Sequence, residues 1–229
     1  DFSTETVSEP GNNFPTVFNR VFTVSNSEYG YVSNPGPTFR RIDFTTDSIS
    51  SPSSNTQLTQ DRSQGGSVFN ENYGYLAGGY EGPDRVCTVD RLDFSTESIA
   101  VPPVNSQLSL KRQGIYSTQS AKFGYLAGGS MPWSYACIVD RLDFTTEVVN
   151  QMGPQASASH NPTYPLYPST RESAGGMYNA SNGYFAGGRN YIYSTEISSV
   201  TRMDFTTETT SFSTNLPQKR TIVCGISGI

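Results

Sequence analysis

Apolar and polar positions along this chain alternate over short runs, and none of the runs sustains a helical period. In "CIVDRLDF" (137–144) apolar residues partly alternate with charged ones, the pattern of a half-buried strand. Glycine and proline break up every longer apolar stretch. The phrase "GYLAGG" stands at 74–79 and again at 124–129, and "GYFAGG" starts at Gly183. A phosphate-cradling loop would need a Lys-Ser/Thr and a helix behind the glycines, and neither follows here. A strand explains the phrase better: its aromatic and leucine fill a core, and its paired glycines allow close backbone approach and unusual dihedrals.

Two further marks recur. "DFSTE" occurs at Asp1 and Asp93, "DFTTD" at Asp43, and "DFTTE" at Asp143 and Asp204; the last four turns follow Arg-x, at Arg41, Arg91, Arg141 and Arg202. An isolated arginine leads a run of small and apolar residues at Arg20, Arg62, Arg112, Arg171 and Arg220. The order is fixed as Arg, then Gly-Tyr, then Arg-x-Asp-Phe, with a period of fifty residues from Asp43 to Asp93 to Asp143. A first Gly-Tyr phrase, "GYVSNP" at Gly30, is degenerate.

Each unit predicts four strands. Strand a follows the isolated arginine, b is the Gly-Tyr phrase, c carries Arg-x-Asp-Phe, and d follows a polar turn in which short side chains cap the backbone. A four-stranded unit of this length matches a propeller blade of the kelch type. The expected fold is therefore one all-β domain over 1–229, in units of approximately 1–42, 43–92, 93–142, 143–203 and a partial 204–229. Joining the ends leaves the last unit without room for its strand b. The expectation is a slice of a longer array or an incompletely closed propeller.

On these residues the chain resembles kelch repeats: a diglycine ending strand b, an aspartate turn after strand c, an arginine before strand a. More narrowly, "GYLAGG" with "VDRLDFSTESI" is similar to the kelch-like arrays in virion proteins of tailed phages that infect marine cyanobacteria. In those arrays a Gly-Tyr-Phe-Gly-Gly-Gly phrase alternates with Arg-Ile/Leu-Asp-Phe/Tyr-Ser. The chain departs from them in its degenerate first repeat, in the alanine of "LAGG", and in a long insertion between Asp143 and Arg171. The resemblance implies a non-enzymatic module of a virion appendage, a tail fibre or baseplate component, in multi-copy assembly. Its partners would be other virion proteins or a host-surface glycan. A secreted or cell-surface bacterial kelch-like protein binding protein or polysaccharide is the alternative, and a glycan-cleaving enzyme a third.

Composition narrows the chemistry. A net charge of −5 without basic clusters disfavours a nucleic-acid partner. No apolar run is long enough to span a membrane as a helix. The cysteines, Cys87, Cys137 and Cys224, form no CxxC pair, so neither a disulfide framework nor a zinc site is expected. Cys87 and Cys137 hold equivalent places in adjacent units and are expected to point the same way. The single histidine, His160, sits in a Pro/Ser-rich stretch without triad or metal spacing, and no cofactor is implied.

Recurrence within the chain separates scaffold from function. Gly78, Gly79, Gly128, Gly129, Gly187 and Gly188, the turn residues Asp43, Asp93, Asp143 and Asp204, and Arg91, Arg141 and Arg202 are repeat-locked and read as scaffold. The arginines are expected to meet carboxylates. Spacing varies instead in the b–c and d–a connections, which share one face of a four-stranded antiparallel blade. That face carries Tyr80, Trp133, Tyr135, Tyr191 and Tyr193, and the long insertion adds Tyr164 and Tyr167. Loops on a rigid base commonly carry recognition, and exposed rings can stack on sugars or anchor a protein.

Overall fold

The computed structural model describes residue 14 and residues 20–33, 36–102, 106–132, 134–152, 171–190 and 195–220. Among them there is no helix; the chain builds four antiparallel sheets in sequence order.

Sheet one is β1 (Thr23–Ser25), β2 (Tyr29–Ser33), β3 (Phe39–Asp43) and β4 (Ile49–Ser50). Sheet two is β5 (Gly66–Phe69), β6 (Tyr73–Glu81), β7 (Asp84–Asp93) and β8 (Ser98–Ala100). Sheet three holds β9 (Tyr116–Gln119) and β10 (Phe123–Ala127). A small hairpin follows, of β11 (Ser130–Met131) and β12 (Ser134–Tyr135), before β13 (Val139–Asp143) and β14 (Val149–Met152) complete the sheet. Sheet four is β15 (Gly175–Tyr178), β16 (Asn182–Ala186), the short β17 (Arg189–Asn190), β18 (Thr195–Asp204) and the long outer β19 (Thr209–Arg220). Each sheet thus gathers strands a to d in order. The Asp-Phe mark falls at the c–d turn, inside a sheet rather than between sheets.

Strand b explains the packing. Successive side chains leave a strand on opposite faces. Tyr75 joins Leu126, Leu142 and Phe144 of sheet three, while Leu76 joins Val24 and Tyr31 of sheet one. Tyr125 likewise packs with Phe185 and Met203 of sheet four, and Leu126 faces back to Val68. The leading glycine lies on Leu76's face: a Cβ on Gly74 would come within 2.6 Å of Val24, and one on Gly124 within 2.4 Å of Val68. The phrase is therefore an interface element, apolar on both faces, with a glycine where the previous sheet's strand a presses closest.

The inner strands are also joined through the backbone. Gln64 N–H donates to Arg20 C=O at 3.0 Å, Gly114 N–H to Gln64 C=O at 2.6 Å, and Ser173 N–H to Gly114 C=O at 2.9 Å. All four residues are left-handed, with φ of 56°, 62°, 65° and 55° at Arg20, Gln64, Gly114 and Ser173. Sheets succeeding one another about strand a, with three interfaces of one design, make the fold propeller-like.

Candidate recognition surface

One end of the array is built on the diglycines. Gly78, Gly128 and Gly187 take φ of 61°, 59° and 64°, and Gly79, Gly129 and Gly188 take 120°, 97° and 100°, values that favour glycine. The turned backbone directs carbonyls inward, onto the buried arginine that precedes strand a. Arg62 donates to Gly78 C=O at 2.9 Å, Leu76 C=O at 2.7 Å and the Asp90 carboxylate at 2.8 Å. Arg112 repeats the last two of these contacts, with Leu126 C=O at 3.0 Å and Asp140 at 2.7 Å, but not the one to the diglycine carbonyl. All four side chains of these ion pairs are 0% exposed. In sheet four Thr201 stands opposite Phe185, where Asp90 stands opposite Leu76. Arg171 there donates to Gly187 C=O, Ser199 C=O and the Thr201 hydroxyl, and burial pushes its guanidinium below the ordinary value.

Arg20 does not belong to this set. The register that sets Val24 against Tyr31 and Val68 against Tyr75 aligns exposed Arg20 with Gln64. The place of Arg62 falls instead on Phe18, outside the described residues. The shorter distance from Arg20 to Gly30 already carried this signal.

Above the diglycines, the d–a and b–c connections are stitched together. Ser63 and Tyr80 exchange backbone hydrogen bonds at 3.1 and 2.7 Å, Gln113 and Ser130 at 3.0 and 2.7 Å, and Glu172 and Arg189 at 3.1 and 3.0 Å. Beyond these bridges the connections differ: a hairpin in sheet two with Arg85 5.9 Å from the ring of half-buried Tyr80, the β11–β12 hairpin in sheet three, and β17 against β18 in sheet four. The backbone of Tyr135, in β12, pairs with that of Ser130 in β11. Trp133, Tyr164, Tyr167, Tyr191 and Tyr193 lie outside the described residues, as do His160 and Cys224.

The opposite end is uniform. Asp43, Asp93, Asp143 and Asp204 each accept from the backbone N–H groups two and three residues on, at 2.8–3.2 Å. A second cap escaped the sequence reading. Asn26, Asn70, Ser120 and Asn179 play the same part in the a–b turn. Its signal was an Asn or Ser four residues before the glycine of each Gly-Tyr phrase. The two turns are joined, with Phe94 N–H donating to Asn72 C=O and Phe144 N–H to Lys122 C=O, both at 3.0 Å.

This end also clasps sheet to sheet. Phe94, Phe144 and Phe205 stack on Tyr31, Tyr75 and Tyr125 of the preceding sheet at 5.5, 5.7 and 5.5 Å between ring centroids. Glu97, Glu147 and Glu208 accept from those tyrosine hydroxyls at 3.1, 2.9 and 3.1 Å, and from Arg41, Arg91 and Arg141 at 2.6, 2.8 and 2.8 Å. Burial, followed by the carboxylate, pushes the Tyr31 phenol up. Arg91 and Arg141 thus meet carboxylates of the next sheet. Arg202 is exposed, and no ion pair holds it among the described residues.

Cys87 and Cys137 are free thiols, and burial pushes Cys137 up. Among the described residues no three His, Cys, Asp or Glu side chains are grouped to hold a metal ion.

No family model matches the chain. No curated protein sequence matches it either. Among solved structures it is similar to one titled "Structure of YjhT", with a TM-score of 0.72 at 12% identity, over 93% of this chain and 70% of that one. A likeness at that identity speaks for the fold, and it agrees with the propeller-like arrangement of the four sheets.

Proposed function

We propose that the chain is a non-enzymatic recognition module of a virion appendage, of the tail-fibre or baseplate kind, contacting a host-surface glycan or another virion protein through its diglycine end. The observation that carries this reading is the set of reciprocal backbone bridges at Ser63–Tyr80, Gln113–Ser130 and Glu172–Arg189. They fix the roots of loops whose lengths and aromatic content escape the repeat. Loops held at the root lose less conformational freedom on binding. Sheet two shows the chemistry such a surface offers, a tyrosine ring beside a guanidinium at Tyr80 and Arg85. Single-site stacking on a sugar is weak, and copies displayed together convert it to avidity.

The test is attachment of the full chain to host cells and to a glycan array. Trp133→Ala with Tyr135→Ala, and separately Tyr80→Ala, are expected to weaken attachment about tenfold, the equivalent of about 1.4 kcal/mol, without changing the melting profile. Normal attachment by the double variant, with failed assembly onto neighbouring virion proteins, would make this end a subunit interface. Release of new reducing ends from a bound glycan would overturn the non-enzymatic reading.

A further inference from the structure

Nearly every arginine that the fold draws out of water is met by an acceptor. Arg41, Arg91 and Arg141 bind glutamates of the next sheet, and Arg62 and Arg112 bind buried aspartates. Arg40 donates to the Ser51 hydroxyl, and Arg171 to carbonyls and hydroxyls of its own sheet. Arg20, Arg189, Arg202 and Arg220 are exposed. Arg85 differs from all of these. It is half-buried, and among the described residues no ion pair or hydrogen bond holds its guanidinium. Its Nε is withdrawn from solvent and meets no acceptor. A donor left unmade in that way is costly, and an acceptor brought by a ligand relieves the cost.

The surroundings of Arg85 narrow the ligand. Tyr80 stands directly opposite it across the β6–β7 hairpin, with the guanidinium 5.9 Å from the ring centroid. The backbone of Tyr80 is held on both sides, by Arg85 in β7 and by the reciprocal bonds to Ser63. Gly82 leaves a flank of the ring uncovered, since a Cβ there would lie 3.6 Å from it. Glu81 and Asp84 pair one step further along, and alternation turns them to the other face of the hairpin. Exposed Lys111 precedes Arg112, whose N–H donates to Val86 C=O at 3.3 Å, so a second cation is carried past β7. The arrangement is peculiar to sheet two: Ser130 and Arg189 take the place of Tyr80 in the bridges of sheets three and four.

We propose that Tyr80 and Arg85 form a subsite for a carboxylate-bearing sugar, a hexuronate residue within an otherwise neutral glycan. The pyranose face lies on the tyrosine ring, and the carboxylate accepts from the guanidinium. This subsite rests on the recognition reading of the diglycine end. A guanidinium presents its N–H donors in a planar fork that meets both oxygens of a carboxylate. The net charge of −5, with Glu81 and Asp84 behind the subsite, repels a densely charged polyanion. An isolated acid among neutral sugars escapes that repulsion.

The test is binding of the full chain to otherwise neutral oligosaccharides that carry one hexuronate, each compared with its carboxyl methyl ester. The acid is expected to bind about tenfold more tightly than the ester. Arg85→Gln should abolish the preference and leave affinity for the ester unchanged. Arg85→Lys keeps the charge without the fork and should restore only part of it. Tyr80→Ala should weaken both forms, and all three variants should keep the parent melting profile. Equal binding of acid and ester by the parent chain, equal loss of both in Arg85→Gln, or no binding of any acid tested would overturn the proposal. Tighter binding of heparin would also overturn it, and tighter binding of polyglutamate would make an acidic peptide the ligand. Host attachment separates the subsite from the reading beneath it. Attachment weakened by Tyr80→Ala and untouched by Arg85→Gln overturns the acid subsite alone. Attachment untouched by Tyr80→Ala, Arg85→Gln and the Trp133–Tyr135 double variant overturns recognition at this end as well.

Discussion

Glu147 shows how a single residue carries conflicting demands. Its φ of 59° is left-handed, which costs a residue with a Cβ about 1–2 kcal/mol. The same dihedral recurs at Glu97 and Glu208, at 52° and 54°. Its carboxylate takes up the Tyr75 hydroxyl and Arg91 across the sheet interface, where hydrogen bonds to a charged group contribute about 1.5–3 kcal/mol. Glu147→Ala is expected to cost about 2–3 kcal/mol in urea unfolding, and Glu147→Gln, which keeps an acceptor, about half of that. The turn aspartates set a pH dependence. The N–H groups of Thr146 and Thr145 hold the Asp143 carboxyl below its usual range, and those of Thr46 and Thr45 do so for Asp43. A folded value below the unfolded value of about 3.9 stabilises above that pH, and the benefit fades as pH falls through the folded value. Asp143→Asn keeps the accepting oxygen and removes the titration, so its Tm should fall less steeply than that of the parent chain below about pH 4. Recurrence of Arg-x-Asp-Phe-x-x-Glu was legible in the sequence. Its wiring was not, because Arg91 and Glu147 stand 56 residues apart and repetition gives the phase of each partner without saying which copy supplies it.

Among elements, strand b is the most exacting, and two glycines separate its constraints. A Cβ on Gly128 would sit 2.3 Å from the ring of Tyr116, which is 2% exposed, and the residue also needs a φ of 59°. Gly36 has a φ of 98° with open space around the same atom. Gly128→Ala should therefore cost about 2–4 kcal/mol, combining overpacking with strain, and Gly36→Ala only the strain, about 1–2 kcal/mol. Chemical denaturation of the two variants checks the order, and equal losses would mean that close packing matters little. Strands b and c were readable because repeated phrases marked them at both ends. Strand a was readable in three units and misplaced in the first, where Arg20 offered the right residue type in the wrong register. The twelve-residue β19 was not anticipated, since its pattern is polar and exposed along most of its length. It is held by pairing with β18, a partner that no local pattern reveals.

For the whole molecule, the interfaces are the unit of stability. Each of the three apolar clusters draws its members from two neighbouring sheets. Stability of such an array is close to a sum over neighbours. Excising residues 93–142 would join Leu92 to Asp143 and keep strand c in phase. Glu147 would then meet Tyr31 and Arg41 in place of Glu97, with the same chemistry. The shortened chain is expected to give the same sheet-type circular dichroism and one cooperative melt at lower Tm; loss of that spectrum would show that sheet three is not interchangeable.

The row of left-handed residues along strand a gives that outcome a further meaning. Arg20, Gln64, Gly114 and Ser173 pass the hydrogen bond on in one direction, the first three each offering a carbonyl to the next. A row of that kind has a grammar. Every unit begins with the same open request and ends with the same answer, so a gene that duplicates or drops a complete unit leaves no backbone group stranded. A cut at any other phase breaks the sentence. On this grammar the chain is expected to lengthen or shorten by whole units with its backbone bonds kept in phase, while the loops at the diglycine end diverge from copy to copy.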